Sequence, residues 1–254
     1  MSYGRRMAWL KEQEREKLPK KIVLFDMDGT LTEPRKEFDR NLTDTLRKLS
    51  QNAHIGIVTG SDYDYILQQM SFVLKNSELR YKTHLLPCNG TKYYSPPYNQ
   101  TDEYRLESEA NMKEELGPAN FRQIMISLIE MQSEIDLYSV PLTGHFISYR
   151  GSTINWCPSG RNANDEERRE FVNYDLSTTP SYREKILKRL HKKFEVRGIS
   201  DKVTIKLGGS TSFDIYPTGW DKTYSLKHFP NWEVWFVGDK CEDQGTDKEI
   251  YDAL

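Results

Sequence analysis

Several features of secreted and membrane proteins are scarce in this 254-residue sequence. It has only three cysteines, Cys88, Cys157 and Cys241, and their odd number and wide spacing fit neither a disulfide framework nor a zinc site. No apolar run approaches the roughly 20 residues needed to cross a bilayer. Residues 1–20 are polar and charged, so we interpret them as a solvated N-terminal extension rather than a signal peptide. These absences predict a cytoplasmic protein that does not bind membranes.

An excess of charge of one sign is also missing. The formal net charge is −2, with acidic and basic residues nearly balanced. A general nucleic-acid binder would usually carry a basic excess, so we expect no nucleic-acid partner. A small anionic ligand needs only a local cluster of arginines, so this balance leaves such a ligand open.

Buried strands are indicated at both ends of the chain. Lys21–Phe25 and His54–Val58 are short apolar runs typical of buried parallel strands, and leucines at helical spacing lie between them. Ser61 and Asp64 resemble a capping box at the start of a second helix. The mostly apolar segment Trp232–Val237 follows a helical stretch and predicts a last strand. The alternation of strand and helix indicates an α/β sheet with parallel pairing.

The middle of the sequence has a different pattern. Asn89-Gly90 predicts a hairpin, and Pro118 is a possible helix start. Strand-like segments and charged helical segments then follow, which indicates an α+β unit. We therefore predict a discontinuous α/β core over residues 21–92 and 217–254, with an α+β cap domain over residues 93–216 inserted into it.

The strongest chemical signal is the segment Asp26-Met27-Asp28-Gly29-Thr30, directly after the first strand. Side chains two apart in an extended chain point the same way, so both carboxylates would face the ligand-binding end of the sheet. One carboxylate can attack phosphorus, and the other can protonate the leaving oxygen and later deprotonate the attacking one. An ordinary Asp-Gly turn is the alternative, but its position after a buried strand favours catalysis.

Two later residues could complete such a site. Asp239 follows the last strand and could anchor a magnesium ion beside Asp26, because magnesium prefers oxygen ligands. Lys222 could neutralise the negative charge of a transferring phosphoryl group, and Asp247 could hold a bound water or orient Lys222. The alternatives are a solvated acidic loop for Asp239 and an exposed helix residue for Lys222.

Short motifs along the chain resemble a known superfamily. DMDGT, IVTGS, WDK and GDK, in this order and spacing, resemble the haloacid dehalogenase superfamily of phosphotransferases. Within it, the chain is similar to the eukaryotic-type phosphomannomutase family through these stretches: FDMDGTLTEPR, IGIVTGSDY, LLPCNGTKYY, FISYRGSTINWCPSGRNANDEERREF, GGSTSFDIYPTGWDKTYSL and FVGDKCEDQGTDKEIY. The resemblance implies a haloacid-dehalogenase-like Rossmannoid core with an inserted α+β cap.

The resemblance also implies roles for residues of the core. Asp26 would be the nucleophile and a magnesium ligand, and Asp28 would be the acid/base that also gives the metal its backbone carbonyl. Asp239 would complete the magnesium site. Thr59 or Ser61 would hydrogen-bond the transferring phosphoryl group.

A second group of matching residues would hold the sugar phosphate that does not react. Planar guanidinium groups pair bidentately with phosphate oxygens, and residues alternating on one strand face could bond sugar hydroxyls. The residues at these positions are Arg35, Arg150, Arg161, Arg168, Ser212 and Asp214. Without the resemblance, the arginines would pass as surface charges.

The function implied is a magnesium-dependent hexose phosphomutase. It would interconvert mannose 6-phosphate and mannose 1-phosphate through an aspartyl-phosphate and a hexose bisphosphate, with hexose 1,6-bisphosphate as activator and GDP-mannose supply as its purpose. A homodimer through the cap is a further expectation. Two alternatives are a sugar-phosphate phosphatase using the same site, and an inactive relative acting as a binding protein. The second alternative arises because the family continues beyond the segment that here ends at Leu254.

Overall fold

The computed structural model describes residues 20–136, 138–242 and 245–254. All of the predicted N-terminal extension except Lys20 therefore lies outside the described residues. The described residues divide into two compact units, one formed by those up to Glu109 together with those of Lys222–Leu254, and the other by those of Ala110–Asp221. Within the described part of the chain, no helix is both long enough and apolar enough to span a membrane.

The first unit contains a six-stranded sheet in the order β10-β1-β2-β3-β4-β5. Its strands are β1 (Lys21–Asp26), β2 (His54–Val58), β3 (Thr83–Leu86), β4 (Lys92–Ser95), β5 (Arg105–Glu109) and β10 (Glu233–Val237). β1 pairs in parallel with β10 and β2, and β2 with β3, whereas β4 pairs antiparallel with β3 and β5. The predicted parallel α/β sheet is confirmed.

Four α-helices and several 3₁₀ turns complete the described part of this unit. The helices are α1 (Thr43–Leu49), α2 (Tyr63–Gln69), α3 (Ser71–Asn76) and α7 (Lys248–Asp252). The 3₁₀ helices are Arg40–Leu42, Glu78–Lys82, Cys88–Gly90 and Lys222–His228. Apolar side chains on both faces of the sheet form two buried clusters, one around Ile57 and Ile66 and the other around Leu24 and Ile250. The central strands β2 and β3 are therefore buried on both faces, as their continuous apolar sequences require, whereas the edge strands β5 and β10 are more exposed.

The second unit is an α+β fold with its own core. Its sheet is antiparallel in the order β6-β7-β9-β8, formed by β6 (Ile147–Tyr149), β7 (Ile154–Trp156), β8 (Val203–Gly208) and β9 (Ser212–Pro217). Its helices are α4 (Met112–Ser133), α5 (Asp165–Leu176) and α6 (Tyr182–Val196). Trp156 and Phe213 stack with ring centroids 5.0 Å apart in its interior.

One local prediction differs from the structure. Helix α2 begins after Asp62, whose carboxylate accepts the Tyr65 N–H at 3.0 Å, so the proposed cap at Ser61 is wrong. Ser61 instead accepts the Cys88 N–H through its carbonyl at 2.8 Å, which keeps it outside the helix. The predicted helix start at Pro118 is confirmed, because the backbone of α4 leaves helical geometry at Gly117 and a second helical stretch begins at Pro118.

The predicted boundary of the inserted unit also differs from the observed division. Residues 93–109 lie in the first unit, because β4 and β5 extend its sheet. Residues 217–221 lie in the second unit, where the Trp220 N–H donates to the Pro217 carbonyl at 3.0 Å.

Two histidines lie side by side on adjacent strands of the first unit. His54 Nδ1 is 3.0 Å from His84 Nε2, and His84 Nδ1 is 3.0 Å from the Tyr93 hydroxyl. Burial lowers the pKa of His84 to about 3, with smaller contributions from His54 and Lys20. Burial likewise lowers the pKa of His54 to about 4. Both rings are therefore neutral in the folded protein at neutral pH.

This pair predicts a loss of stability in mild acid. In the unfolded chain His84 binds a proton below its ordinary pKa of 6.5, whereas in the folded protein it stays neutral down to about pH 3. The free energy of unfolding therefore decreases as the pH is lowered from 6.5 to about 3. His84→Gln is expected to reduce the loss between pH 7.5 and pH 5 by about 1–2 kcal/mol, measured by urea unfolding.

The matched control is His191→Gln, since His191 is exposed on α6. Its stability should follow pH as the wild type does. The proteins compared differ in no other titrating group. If the free energy of unfolding depended on pH in the same way for His84→Gln and wild type, the prediction would be contradicted.

Candidate active site

The carboxyl ends of three parallel strands meet at one edge of the core sheet. Asp26, the last residue of β1, pairs with Val58 of β2, while Phe25 pairs with Val237 of β10. The segments that begin at Thr59 and Gly238 therefore leave the sheet beside Asp26. This edge is where open α/β sheets bind ligands.

An acidic cluster lies at this edge. Asp26, Asp239 and Asp247 each place a carboxylate oxygen within 4.8 Å of the other two. Asp26 and Asp247 are buried, and Asp239 is exposed. The cluster thus has two carboxylates fixed in the interior and a third that faces solvent.

Lys222 lies inside this cluster. Lys222 is only 4% exposed, and its ammonium group donates hydrogen bonds to Asp26 Oδ1 and Asp247 Oδ1. Burial raises the pKa of Asp26 to about 6, although the charge of Lys222 opposes this shift. Burial would lower the pKa of Lys222, but the two carboxylates outweigh it and raise that pKa above its ordinary value. Lys222 therefore stays charged and balances the buried acids.

Asp247 is held by the loop that follows β10. Its Oδ2 accepts the Lys240 N–H at 3.1 Å, and its side chain is fully buried. A Cβ atom on Gly238 would lie 2.5 Å from Asp247 Oδ2, so the backbone must carry no side chain there. The predicted pairing of Asp247 with Lys222 is present in the structure.

The turn after β1 presents Asp28 and Gly29. Asp28 Oδ1 accepts a hydrogen bond from the Tyr65 hydroxyl at 2.8 Å. Gly29 has φ +101°, and a Cβ atom there would lie 2.4 Å from Asp239 Oδ2. The turn therefore needs glycine both for its backbone conformation and for the close approach of Asp239.

Thr59 and Ser61, at the end of β2, were predicted to contact a phosphoryl group. Thr59 is buried, and its Oγ1 accepts the Ser61 N–H at 3.2 Å. Both residues follow the strand next to Asp26. Their role in phosphate binding stays a prediction.

Most of the predicted sugar-phosphate residues belong to the second unit, where a hydrogen-bond network surrounds Asn155. The Asn155 amide nitrogen donates to Ser212 Oγ at 2.9 Å and to Asp214 Oδ1 at 2.7 Å. Its oxygen accepts from Arg161 at 2.8 Å. Burial raises the pKa of Asp214, and Asn155, Arg150 and Arg161 oppose this shift. Asn155 therefore connects three of the residues that sequence reasoning selected.

The turn between β8 and β9 is fixed by two arginines. Arg168 donates to Thr211 Oγ1 at 3.3 Å. Arg183 forms a buried ion pair with Asp175 at 2.7 Å and donates to the Gly209 carbonyl at 3.1 Å. Arg35, in contrast, belongs to the first unit, where its backbone N–H donates to the Tyr65 hydroxyl at 3.2 Å.

Sequence reasoning missed Asn155, Tyr65 and the Asp175–Arg183 pair. Asn155 alternates with Ile154 and Trp156 on a strand, and its pairing opposite Asp214 depends on the register of β7 with β9. No sequence motif pointed to Tyr65, because its contact with Asp28 joins residues that are 37 positions apart. Only the stretch around Asn155 in the family resemblance could have pointed to one of them.

The sheet order and the acidic edge together define a protein of the haloacid-dehalogenase fold. Solved structures with this fold support that class. The chain superposes on an N-terminally truncated, IMP-bound IMP-nucleotidase of Plasmodium falciparum with a TM-score of 0.60, at 13% identity, covering 91% of this chain and 62% of that one. It matches the C-terminal domain of Candida albicans trehalose-6-phosphate phosphatase with a TM-score of 0.52, at 13% identity, covering 90% and 72% of the two chains. The chain thus spans under two thirds of the nucleotidase, and both likenesses concern the fold alone.

Sequence comparison then identifies the family within this class. The family model for eukaryotic phosphomannomutase matches residues 42–253. The phosphomannomutase of Saccharomyces cerevisiae is 36% identical over 237 residues, which are 92% of this chain and 85% of the yeast protein. That of Arabidopsis thaliana is 33% identical over 239 residues, 93% of this chain and 89% of the plant protein. The chain belongs to the eukaryotic phosphomannomutase family and is an enzyme of that family.

Proposed function

We propose that the protein is a magnesium-dependent hexose phosphomutase that interconverts mannose 6-phosphate and mannose 1-phosphate. Family membership supports this proposal. The observation that carries it is the cluster of Asp26, Asp239 and Asp247 around Lys222 at the carboxyl edge of the sheet. A buried nucleophile, oxygen ligands and a fixed ammonium group are the parts that phosphoryl transfer requires.

The acidic cluster fits a magnesium ion by its chemistry and spacing. Its three carboxylates and one ammonium group leave a formal charge of −2, which one divalent cation neutralises. Magnesium binds oxygen at about 2.1 Å, so ligands on opposite sides are about 4.2 Å apart, close to the 4.8 Å span of the cluster. Asp26, Asp239 and the Asp28 carbonyl would hold the ion. When bound, it neutralises charge on the phosphoryl oxygens.

The side chains of the first unit supply the two half-reactions. An Asp26 oxygen forms a bond to phosphorus while the phosphorus–oxygen bond to the sugar breaks, and Asp28 gives its proton to the leaving oxygen. In the reverse sense, a sugar hydroxyl passes its proton to Asp28 and its oxygen attacks the phosphoryl group, which releases Asp26. The phosphoryl group moves between two sugar positions when the intermediate, a hexose bisphosphate, binds in both orientations. Thr59 or Ser61 would hydrogen-bond that group during transfer.

A mutase must also hold the phosphate that does not react. Bidentate guanidinium pairing suits this task, and the hydroxyl and carboxylate on β9 would bond sugar hydroxyls. The residues assigned to it are Arg35, Arg150, Arg161, Arg168, Ser212 and Asp214. We further propose hexose 1,6-bisphosphate as the activator, because it delivers the first phosphoryl group to Asp26. A cytoplasmic location, a role in GDP-mannose supply and a homodimer through the second unit stay predictions.

A coupled assay tests the proposal. Purified protein with magnesium and a trace of glucose 1,6-bisphosphate should convert mannose 1-phosphate to mannose 6-phosphate. Release of inorganic phosphate without the 6-phosphate would replace the mutase with a sugar-phosphate phosphatase that uses the same site. Absence of both products would favour a binding protein.

Gly29→Ala is expected to weaken magnesium binding at least about tenfold, because a Cβ atom at 2.4 Å from Asp239 Oδ2 must displace that carboxylate. The measurement is magnesium-dependent thermal stabilisation, together with the magnesium concentration that gives half-maximal turnover. Gly198→Ala is the control, since Gly198 also has a positive φ of +65° but a Cβ atom there meets nothing within 4 Å. Equal effects of the two substitutions would assign the loss to backbone strain alone.

A further inference from the structure

The Tyr65 hydroxyl lies at the centre of a small hydrogen-bond network in the first unit. Tyr65 stands in the first turn of α2 and is half-buried. Its hydroxyl donates to Asp28 Oδ1 at 2.8 Å and accepts the Arg35 N–H at 3.2 Å. Arg35 has φ +65°, a backbone conformation that residues with a side chain rarely adopt. The Tyr65 hydroxyl thus contacts both the Asp28 carboxylate and the backbone of the loop that follows Asp28 in the chain.

Gln69 supplies the hydroxyl with a second partner. It lies one helical turn after Tyr65 and is buried with 3% exposure. With its amide nitrogen directed at the Lys36 carbonyl and the Thr32 hydroxyl, both at 3.0 Å, its oxygen lies 2.7 Å from the Tyr65 hydroxyl. The phenolic proton therefore has two acceptors within reach, Asp28 and Gln69.

This arrangement suits a partner of a group that gives and takes a proton. A phenol can donate to a carboxylate, and it can accept from a carboxylic acid when its own proton turns to another acceptor. Tyr65 can hold Asp28 in both conditions because Gln69 provides that other acceptor. Burial first, and then the hydrogen bond to Asp28, raise the pKa of Tyr65 to about 12, so the phenol keeps its proton at neutral pH.

We propose that Tyr65 is a positioning residue that orients the Asp28 carboxyl group for proton transfer to and from the sugar oxygen. Asp28 is only half-buried and lies on a turn, where an unrestrained side chain would occupy several rotamers. A misdirected carboxyl group loses much of the benefit of general acid–base catalysis, which depends on hydrogen-bond geometry. The inference rests on the acid/base role of Asp28 in the proposed function.

Tyr65→Phe removes only the hydroxyl group, and a comparison of two leaving groups tests its role. A sugar oxygen leaves poorly without a proton, whereas p-nitrophenolate leaves without one. We expect turnover of mannose 1-phosphate to fall about 10–100-fold, while the pre-steady-state release of p-nitrophenolate from p-nitrophenyl phosphate, a step that needs no proton from Asp28, changes less than about threefold. A purely structural role would lower both activities by the same factor.

Tyr63→Phe is the matched control. Tyr63 lies in the same helical turn, is half-buried and stacks on Tyr94 with ring centroids 4.1 Å apart. It should not change the ratio of the two activities. The thermal unfolding midpoints of Tyr65→Phe and wild type are expected to agree within about 3 °C, which would show that the fold is intact.

The outcomes separate this inference from the proposed function. Loss of both activities by one factor in Tyr65→Phe, or no loss with mannose 1-phosphate, would overturn the positioning role. If wild-type protein releases only phosphate from mannose 1-phosphate, the mutase proposal falls. The positioning role of Tyr65 would then be tested on phosphate release. It would hold if Tyr65→Phe slows release from mannose 1-phosphate more than the reaction of p-nitrophenyl phosphate, and it would fall if both slow equally. A wild-type protein without activity on mannose 1-phosphate would overturn both.

Discussion

Replacing Asp26 with asparagine should reduce conversion of mannose 1-phosphate at least about 10⁴-fold, because the proposed reaction loses its nucleophile. An amide oxygen is a far weaker nucleophile than a carboxylate and does not form a stable acyl-phosphate. Asparagine still fills the buried position at the end of β1 and can accept a hydrogen bond from Lys222. The fold should therefore persist, and phosphate incorporation from labelled hexose 1,6-bisphosphate should disappear together with turnover.

Asp201→Asn provides the control for this experiment. Asp201 is an exposed residue of the second unit, so the same change of one charge there should leave turnover within about twofold of wild type. Retention of more than about a tenth of the wild-type rate in Asp26→Asn would contradict covalent catalysis at Asp26.

Replacing Lys222 with methionine should destabilise the metal-free protein by about 3–5 kcal/mol, since it leaves Asp26 and Asp247 buried without their counter-charge. Methionine fills a similar volume, so loss of charge rather than loss of packing dominates. Turnover should also fall about 10²-fold or more, because the ammonium group no longer stabilises the transferring phosphoryl group. Urea unfolding and the coupled assay measure the two effects.

Magnesium distinguishes the electrostatic cause of this destabilisation from a packing defect. A ligand that binds only the folded protein stabilises it by mass action, and the proposed magnesium ion would supply positive charge beside the two carboxylates. Magnesium should therefore stabilise Lys222→Met more than it stabilises wild type. Lys227→Met, on the exposed face of the same 3₁₀ helix, is the control and should change neither stability nor turnover appreciably. Equal stabilisation of all three proteins by magnesium would contradict the explanation.

The sequence predicts the parts of this site that depend on strand ends. Asp26 and Asp239 follow apolar strands, and parallel strands deliver their carboxyl ends to one edge, so their proximity can be inferred without coordinates. Lys222 and Asp247 were selected with less physical support, since neither lies at a strand end. Their contact depends on a 3₁₀ helix and a loop whose paths no local pattern specifies.

Contacts between side chains of distant elements could not be predicted. Tyr65 reaches Asp28 only because α2 passes beside the turn after β1, and Asn155 reaches Asp214 only in the observed register of β7 and β9. The start of α2 shows the same limit at short range. Ser61 and Asp62 are both good caps by residue type, and the pairing of Ser61 with Cys88 decides between them.

The position of β1 beside β10 has a consequence for the order in which the chain acquires its structure. The core sheet joins a strand from near the start of the described chain to one near its end, and the hydrogen bond between Lys222 and Asp26 spans 196 positions. The second unit, in contrast, is formed by one continuous stretch of chain. During synthesis on the ribosome, the second unit can therefore complete its fold while β1 still lacks β10, one of its two neighbouring strands. The acidic cluster is assembled last, because Asp239 and Asp247 join Asp26 only after residues beyond β10 have emerged from the exit tunnel.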